Sequence, residues 1–292
     1  MKGCALALLL AWAGCHSRSA VAPTPATRDA AVAKSGPRIF IVGASVSAGM
    51  GGLPFLDAFA AAAPQSDVAS AASIFLFRDP MRATSEQAAA ALAFKPSLVI
   101  ALDLLFWHAY GSATQAQRRD AIAHALHQLD SLHAAGATVV VGNLPHIVTA
   151  SPYLLDPASV PPVEELAELN RQIEAWAGPA RTSERMDAKP LKLVAPFASW
   201  AAPLAQHGNV TMPDGSQVAA DALMAADGLH ANPRGTYYVL TQLDQWLEHH
   251  GTAAALLQFV PPGPAAVAPT RWQRNTAKCG TVAPCGARQC WA

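Results

Sequence analysis

Charge is scarce in this chain of 292 residues: only 14% are Asp, Glu, Lys or Arg, and 20 basic residues balance 20 acidic ones. No Lys/Arg-rich run stands out, which excludes the electrostatic footprint of a nucleic-acid binder. Cysteine is missing from the whole stretch between Cys15 and Cys279. No internal repeat is visible. The longest apolar run, "CALALLLAWAG", is too short to span a bilayer.

What is present begins with that run. One cation, Lys2, precedes it and Cys15 ends it, giving the charge and length of an export signal. The boundary "AGC" looks like a bacterial lipoprotein cleavage site, with Cys15 acylated as the first mature residue, although Trp12 stands where that pattern usually has Leu. Residues 16–37, rich in Ala, Pro, Ser and Thr, read as a flexible linker. At the other end, 259–292 is a Pro-rich tail holding Cys279, Cys285 and Cys290. A zinc site there lacks a fourth ligand, because the tail has no His; one disulfide among the three is expected in an oxidising compartment.

Residues 38–258 form the expected domain. Apolar runs at 38–43, 72–77, 97–102, 138–143 and 191–196 read as buried strands. Between the third and fourth, Ile122, Leu126, Leu129 and Leu132 recur at helical spacing, and Gly136 follows as a stop. A second helix fits Val163, Leu166, Leu169, Ile173 and Trp176 on one stripe, and a third runs from Gly235 to a close at Gly251. "VTMPDGSQV" (210–218) carries the Asp-Gly signal of a hairpin. Strand–helix alternation implies parallel strands with helices on both faces, and such sheets bind ligands at the carboxyl ends of their strands. Ser45, the 103–108 segment and the 143–146 segment then share one rim.

The stretch "IVGASVSAGM" ends the first strand in Gly43 and Ser45. A phosphate loop would need a lysine after its second glycine, but Met50 and Gly51 follow Gly49 and no Lys or Arg comes before Arg78. The dinucleotide fingerprint fails at Pro54. A serine nucleophile needs an imidazole base and a carboxylate to orient it. "AADGLHANPRG" supplies both, with Asp227 and His230 three residues apart and Gly228 permitting a tight bend. The elbow G-x-S-x-G of α/β-hydrolases does not fit, because Ser47 replaces its last glycine and Ser45 follows the first strand.

"GASVSAG" followed much later by "DGLHAN" resembles the SGNH (GDSL-type) hydrolase family over about residues 38–250. The resemblance implies a flavodoxin-like three-layer α/β/α sandwich around a central five-stranded parallel sheet. It makes Ser45 the nucleophile, His230 the general base and Asp227 its orienting acid, with no metal or other cofactor. Ala44 departs from the aspartate of the family's first block. The family's oxyanion hole uses the nucleophile's amide, a glycine after strand two and an asparagine after strand three. The last two have no counterpart, and Asp103 is the nearest polar residue. A carboxylate facing an oxyanion would repel it unless protonated, so Asp103 is either turned elsewhere or marks a modified site.

Asp103, Trp107 and Asn143 remain oxyanion or substrate candidates, with Phe106, His108 and Tyr110 as a further wall. Asp120, His124 and His127 have helical spacing that suggests a metal but lie off the apolar stripe, as a solvated face does; His146 reads as structural. The expected function is an exported serine esterase acting on O-acylated cell-surface glycan or lipid esters, as a monomer in the bacterial envelope, facing the periplasm or the surface. Its only membrane contact would be an N-terminal lipid anchor. The alternative is a degenerate relative that binds a glycan or envelope partner without turnover.

Overall fold

The computed structural model describes residues 34–178 and 190–250, with Leu257 and Phe259. The export signal, Cys15, Gly251 and the tail cysteines lie outside the described residues, as does the linker up to residue 33. In chain order the elements are β1 (Arg38–Ile41), α1 (Phe55–Ala62), β2 (Asp67–Ser70), α2 (Pro80–Phe94), β3 (Leu98–Ala101), α3 (Phe106–Ala109), α4 (Gln115–Ala134) and β4 (Thr138–Gly142). Then follow α5 (Val163–Ala177), β5 (Lys192–Ala195), α6 (Phe197–Ala205), β6 (Asn209–Thr211), β7 (Gln217–Ala219) and α7 (Pro233–His249).

Five strands form one parallel sheet in the order β2-β1-β3-β4-β5, the flavodoxin-like order. Alternate residues of each strand feed opposite layers. Ile39, Ile41, Ile100 and Val140 pack with α1, α6 and α7 through Phe59, Leu204 and Leu243. Phe40, Val99, Val139 and Val141 pack with α2, α4 and α5 through Ala91, Leu129 and Leu169. Both faces are covered, so the central strands carry continuous apolar runs rather than alternation. Leu257 and Phe259 close the first layer; the Phe259 ring meets Phe59 edge-on at 5.2 Å, just past the expected domain boundary.

The second strand departs from expectation. The run at 72–77 is not a strand; β2 lies upstream, in the less apolar "DVAS". Ala71 N and Ser73 N still donate to Ile41 O and Gly43 O, after which the chain turns into a short 3₁₀ segment, Leu76–Arg78. Only Leu76 of that segment enters the core, while Phe75 and Phe77 stay 47% and 42% exposed. Register with β1, not local hydrophobicity, decides where an edge strand pairs. Asp79 then caps α2 by accepting from Arg82 N, with Pro80 in its first turn.

The helices at 115–134 and 163–177 follow the apolar periods, although Val163 is exposed. Gly136, at φ 100°, ends the first of them. β6 and β7 form the hairpin around Asp214 and Gly215. The strand order reverses at β1, so a crevice forms where the chain leaves β1 and β3. Ser45 and Asp103 stand at those two exits.

Candidate active site

The turn after β1 carries Ser45, only 7% exposed. Gly43 begins it without a side chain because there is no space for one: a Cβ would lie 2.3 Å from Asp103 Oδ1 and 2.6 Å from Ser47 Oγ. Across the rim, the 225–231 loop folds on itself. Ala225 N donates to His230 O (2.8 Å), Gly228 N to Ala225 O (3.1 Å), and Met224 bridges Ala231. Gly228 adopts φ +65°, and a Cβ there would sit 2.2 Å from Thr149 O. Asn232 then caps α7 by accepting from the amides of Arg234 and Gly235.

These two segments place three side chains in line. Ser45 Oγ lies 2.8 Å from His230 Nε2, and His230 Nδ1 lies 2.8 Å from Asp227 Oδ2. An ionised carboxylate can only accept, so Nδ1 carries the proton and Nε2 is left to accept from the serine hydroxyl. Asp227 Oδ1 accepts from the amides of Leu229 (3.0 Å) and His230 (2.9 Å). Burial pushes the Asp227 carboxyl up, but the imidazole hydrogen bond, its charge and the two amides outweigh that, and the carboxyl is held below the ordinary carboxylate range. The His230 side chain is 3% exposed.

A cavity of about 60 Å³ opens beside Ser45 and His230. Its walls are mostly apolar, with Val46, Phe106, Ile147, Phe197, Leu204 and Met224 among them. The loop after β4 that supplies Ile147 is pinned by Tyr110, whose hydroxyl donates to Pro145 O and accepts from Ile147 N. Burial pushes that phenol up to about 12.

The other sequence candidates take different places. Asp103 lines the cavity, but its carboxylate is turned to the turn that carries Ser45 and accepts from Ala44 N (3.0 Å), Val46 N (2.8 Å), Ser47 N (3.2 Å) and Ser47 Oγ (2.6 Å). Asn143 is occupied at the start of α6, where its side-chain oxygen accepts from Ala198 N at 2.6 Å. Trp107 packs between Phe77 and Phe106, and of these three rings only Phe106 lines the cavity. His108 is buried against Thr84 and the Leu104 carbonyl. His124 meets Ser85 and the Met81 carbonyl, whereas Asp120, His127 and His146 are exposed. Among the described residues no group of three or more His, Cys, Asp or Glu could hold a metal ion.

Sequence reasoning missed Gln87. Its side chain accepts from Gly43 N (2.7 Å) and donates to Gly43 O (3.0 Å). The available signal was a glutamine among Thr84, Ala88 and Ala91 on the buried stripe of α2, since a buried amide requires partners.

No family model matches the chain, and no curated protein does. Among solved structures it is similar to a GDSL-like lipase from Parabacteroides merdae at 14% identity and TM-score 0.47, over 76% of this chain and 97% of that one. It is also similar to TesA at 19% identity and TM-score 0.44, over 72% and 98%. A third similar structure is the psychrotrophic esterase EstA from Pseudoalteromonas sp., inhibited by monoethylphosphonate, at 16% identity and TM-score 0.41, over 73% and 99%.

Proposed function

We propose that this chain is a serine ester hydrolase of the SGNH (GDSL-type) kind, acting on carboxylic esters. The observation that carries the reading is the hydrogen-bonded line Ser45–His230–Asp227, with both links at 2.8 Å. Ser45 Oγ attacks the ester carbonyl carbon while His230 Nε2 takes the hydroxyl proton, and Asp227 stabilises the imidazolium. The tetrahedral intermediate collapses as the alkoxide leaves with that proton, giving an acyl-serine. Water then attacks the acyl carbon, His230 takes its proton and returns it to Ser45, and the carboxylic acid departs. Every step runs on protein groups and water alone.

The apolar cavity beside Ser45 suits a hydrocarbon portion of the ester better than a sugar ring, so the glycan or lipid of an O-acylated surface molecule would lie outside it. The proposal includes export with lipid on Cys15, which mass spectrometry of the mature N-terminus checks. A panel of p-nitrophenyl esters tests the chemistry. Wild type should hydrolyse short acyl chains and react covalently with an organophosphonate, and Ser45→Ala should do neither. Equal turnover by both proteins would remove this reading. A binding role without turnover is the second reading, favoured by the Asp103 carboxylate standing in the cavity wall.

A further inference from the structure

From Gly43 to Ser47 the backbone polar groups can be accounted for one by one. Gly43 N donates to Gln87, and Gly43 O accepts from Gln87 and from Ser73 N. The carbonyls of Ala44, Ser45, Val46 and Ser47 accept from the amides of Ala48, Met50, Gly49 and Phe55. The amides of Ala44, Val46 and Ser47 all donate to Asp103. Among the described residues, nothing accepts from the amide of Ser45. One carboxylate, 3% exposed, therefore holds the residues on either side of the nucleophile and leaves the nucleophile's own N–H without a partner.

We infer that Asp103 is the positioning residue of the nucleophile turn, fixing Ser45 Oγ against His230 and keeping the Ser45 amide free to donate to the oxyanion. The inference rests on the ester-hydrolase reading of this site. Asp103 touches neither the ester nor the imidazole in this role; it acts through the turn. Two effects of its charge oppose each other. The charge strengthens four hydrogen bonds from the turn, since bonds to an ionised acceptor are about twice as strong as neutral ones. It also stands near the place where negative charge develops, which disfavours the transition state. The buried geometry favours the first effect, because both carboxylate oxygens are taken up by donors of the turn: Oδ1 by Ala44 N and Ser47 Oγ, Oδ2 by Val46 N and Ser47 N.

The two effects predict opposite signs for Asp103→Asn. Asparagine keeps the size, removes the charge and turns an N–H₂ toward amides that need an acceptor. If the negative field dominated, the variant would be faster. With positioning dominant, kcat and the rate of phosphonate acylation should both fall about a hundredfold, the usual cost of a misplacement near 1 Å. KM should change by less than about threefold, since the apolar cavity is untouched. A fall of tenfold or more in acylation by folded protein supports the inference, and a smaller fall or any gain overturns it. Should Asp103→Asn fail to fold, Ser47→Ala decides, because it removes one of the four donors and no amide. A fall of threefold or more in acylation then supports positioning, and a smaller one overturns it. A wild-type chain inert to both esters and phosphonate overturns the hydrolase reading, and the inference with it, whereas an active wild type with an equally active variant overturns the inference alone.

Discussion

The turn that carries Ser45 and the loop that carries His230 are joined by the Ser45–His230 hydrogen bond, but their supports come from different distances along the chain. Gln87 grips the turn from 44 residues away, and Asp103 from 56 to 59. The 225–231 loop is held largely by its own residues: Asp227 accepts from the next two amides but one, Ala225 pairs with His230, and Asn232 caps the helix that follows. Among the described residues, and beyond the Ser45 link and the Met224–Ala231 bridge, its outside help comes from Thr149 Oγ1 on Gly228 O and Ser151 N on Asp227 O. The turn's carbonyls are paired locally, with the amides of Ala48, Gly49, Met50 and Phe55, but the amides of Gly43, Ala44, Val46 and Ser47 are held from afar, whereas the rim loop closes mostly on itself. The turn should therefore be sensitive to changes elsewhere in the fold, and the loop mainly to changes within it.

The largest expected effect abolishes the distinction. Ser45→Ala or His230→Ala should each lower kcat by about 10⁶, and Asp227→Asn by about 10⁴, as for serine hydrolases whose triad acts as a unit. The double variant Ser45→Ala/His230→Ala should be no slower than either single one. Initial rates on an activated ester measure this. Multiplicative losses would mean that the two segments act independently.

The next effect separates them. His108 packs behind the turn's supports, bonding Thr84 on α2 and the carbonyl of Leu104, next to Asp103. Burial lowers its pKa from 6.5 to about 4, against a smaller opposing pull from the Leu104 carbonyl. A base with a lowered folded pKa is neutral in the folded chain and gains a proton on unfolding. Its contribution is whole above 6.5 and is lost as pH falls from there toward about 4, amounting to roughly 3 kcal/mol. Asp227 behaves differently: its lowered carboxyl stabilises the fold above the ordinary carboxylate range and loses that only as pH drops through the lower folded value. Mild acid should thus loosen the turn side first. Urea unfolding of wild type and His108→Gln across this window should show the slope in wild type and a flatter line in the variant. Equal slopes would sink the idea.

Gln87→Leu probes the turn directly. It leaves the buried Gly43 N–H without a partner, although Gly43 O keeps Ser73 N. The expected loss is roughly 2–3 kcal/mol in denaturant unfolding, with turnover falling as well. A variant that unfolds like wild type would mean that the turn does not depend on α2.

The same contrast explains what could be read without coordinates. Asp227 and His230 were legible because a three-residue spacing with Gly228 between them is a local fact. β1, β3 and β4 were legible because their apolar runs are buried on both faces, and the partly buried edge strand β5 because its own run is apolar. β2 was not, since an edge strand is placed by its partner's register, and "ASIFLF" is more apolar than the "DVAS" that pairs. Asp103 was legible as an anomaly, a carboxylate near a place that needs donors, but its direction depended on where three amides point. Gln87 required knowing that the α2 stripe faces Gly43. Asn143 looked like a rim donor in sequence, but α6 arrives beside it and Ala198 N donates to its side-chain oxygen.

The smallest effect belongs to the loop. Asn232 accepts from two amides at the start of α7 and donates to the carbonyls of Ala222 (2.9 Å) and Met224 (3.3 Å). Asn232→Ala removes the cap, and loss of such a cap costs about 1 kcal/mol. Of the freed groups, Arg234 N and Ala222 O are exposed, where water replaces what is lost, while Gly235 N and Met224 O are part-buried, so stability should fall by about that much or somewhat more. Ser45 and Asp227 lose no contact in this variant, and the Ala225–His230 pairing is backbone to backbone. Turnover should therefore stay within about threefold of wild type, while Gln87→Leu loses more of both. If Asn232→Ala instead cost as much activity as Gln87→Leu, the loop would depend on distant support as heavily as the turn does, and the contrast between them would fail.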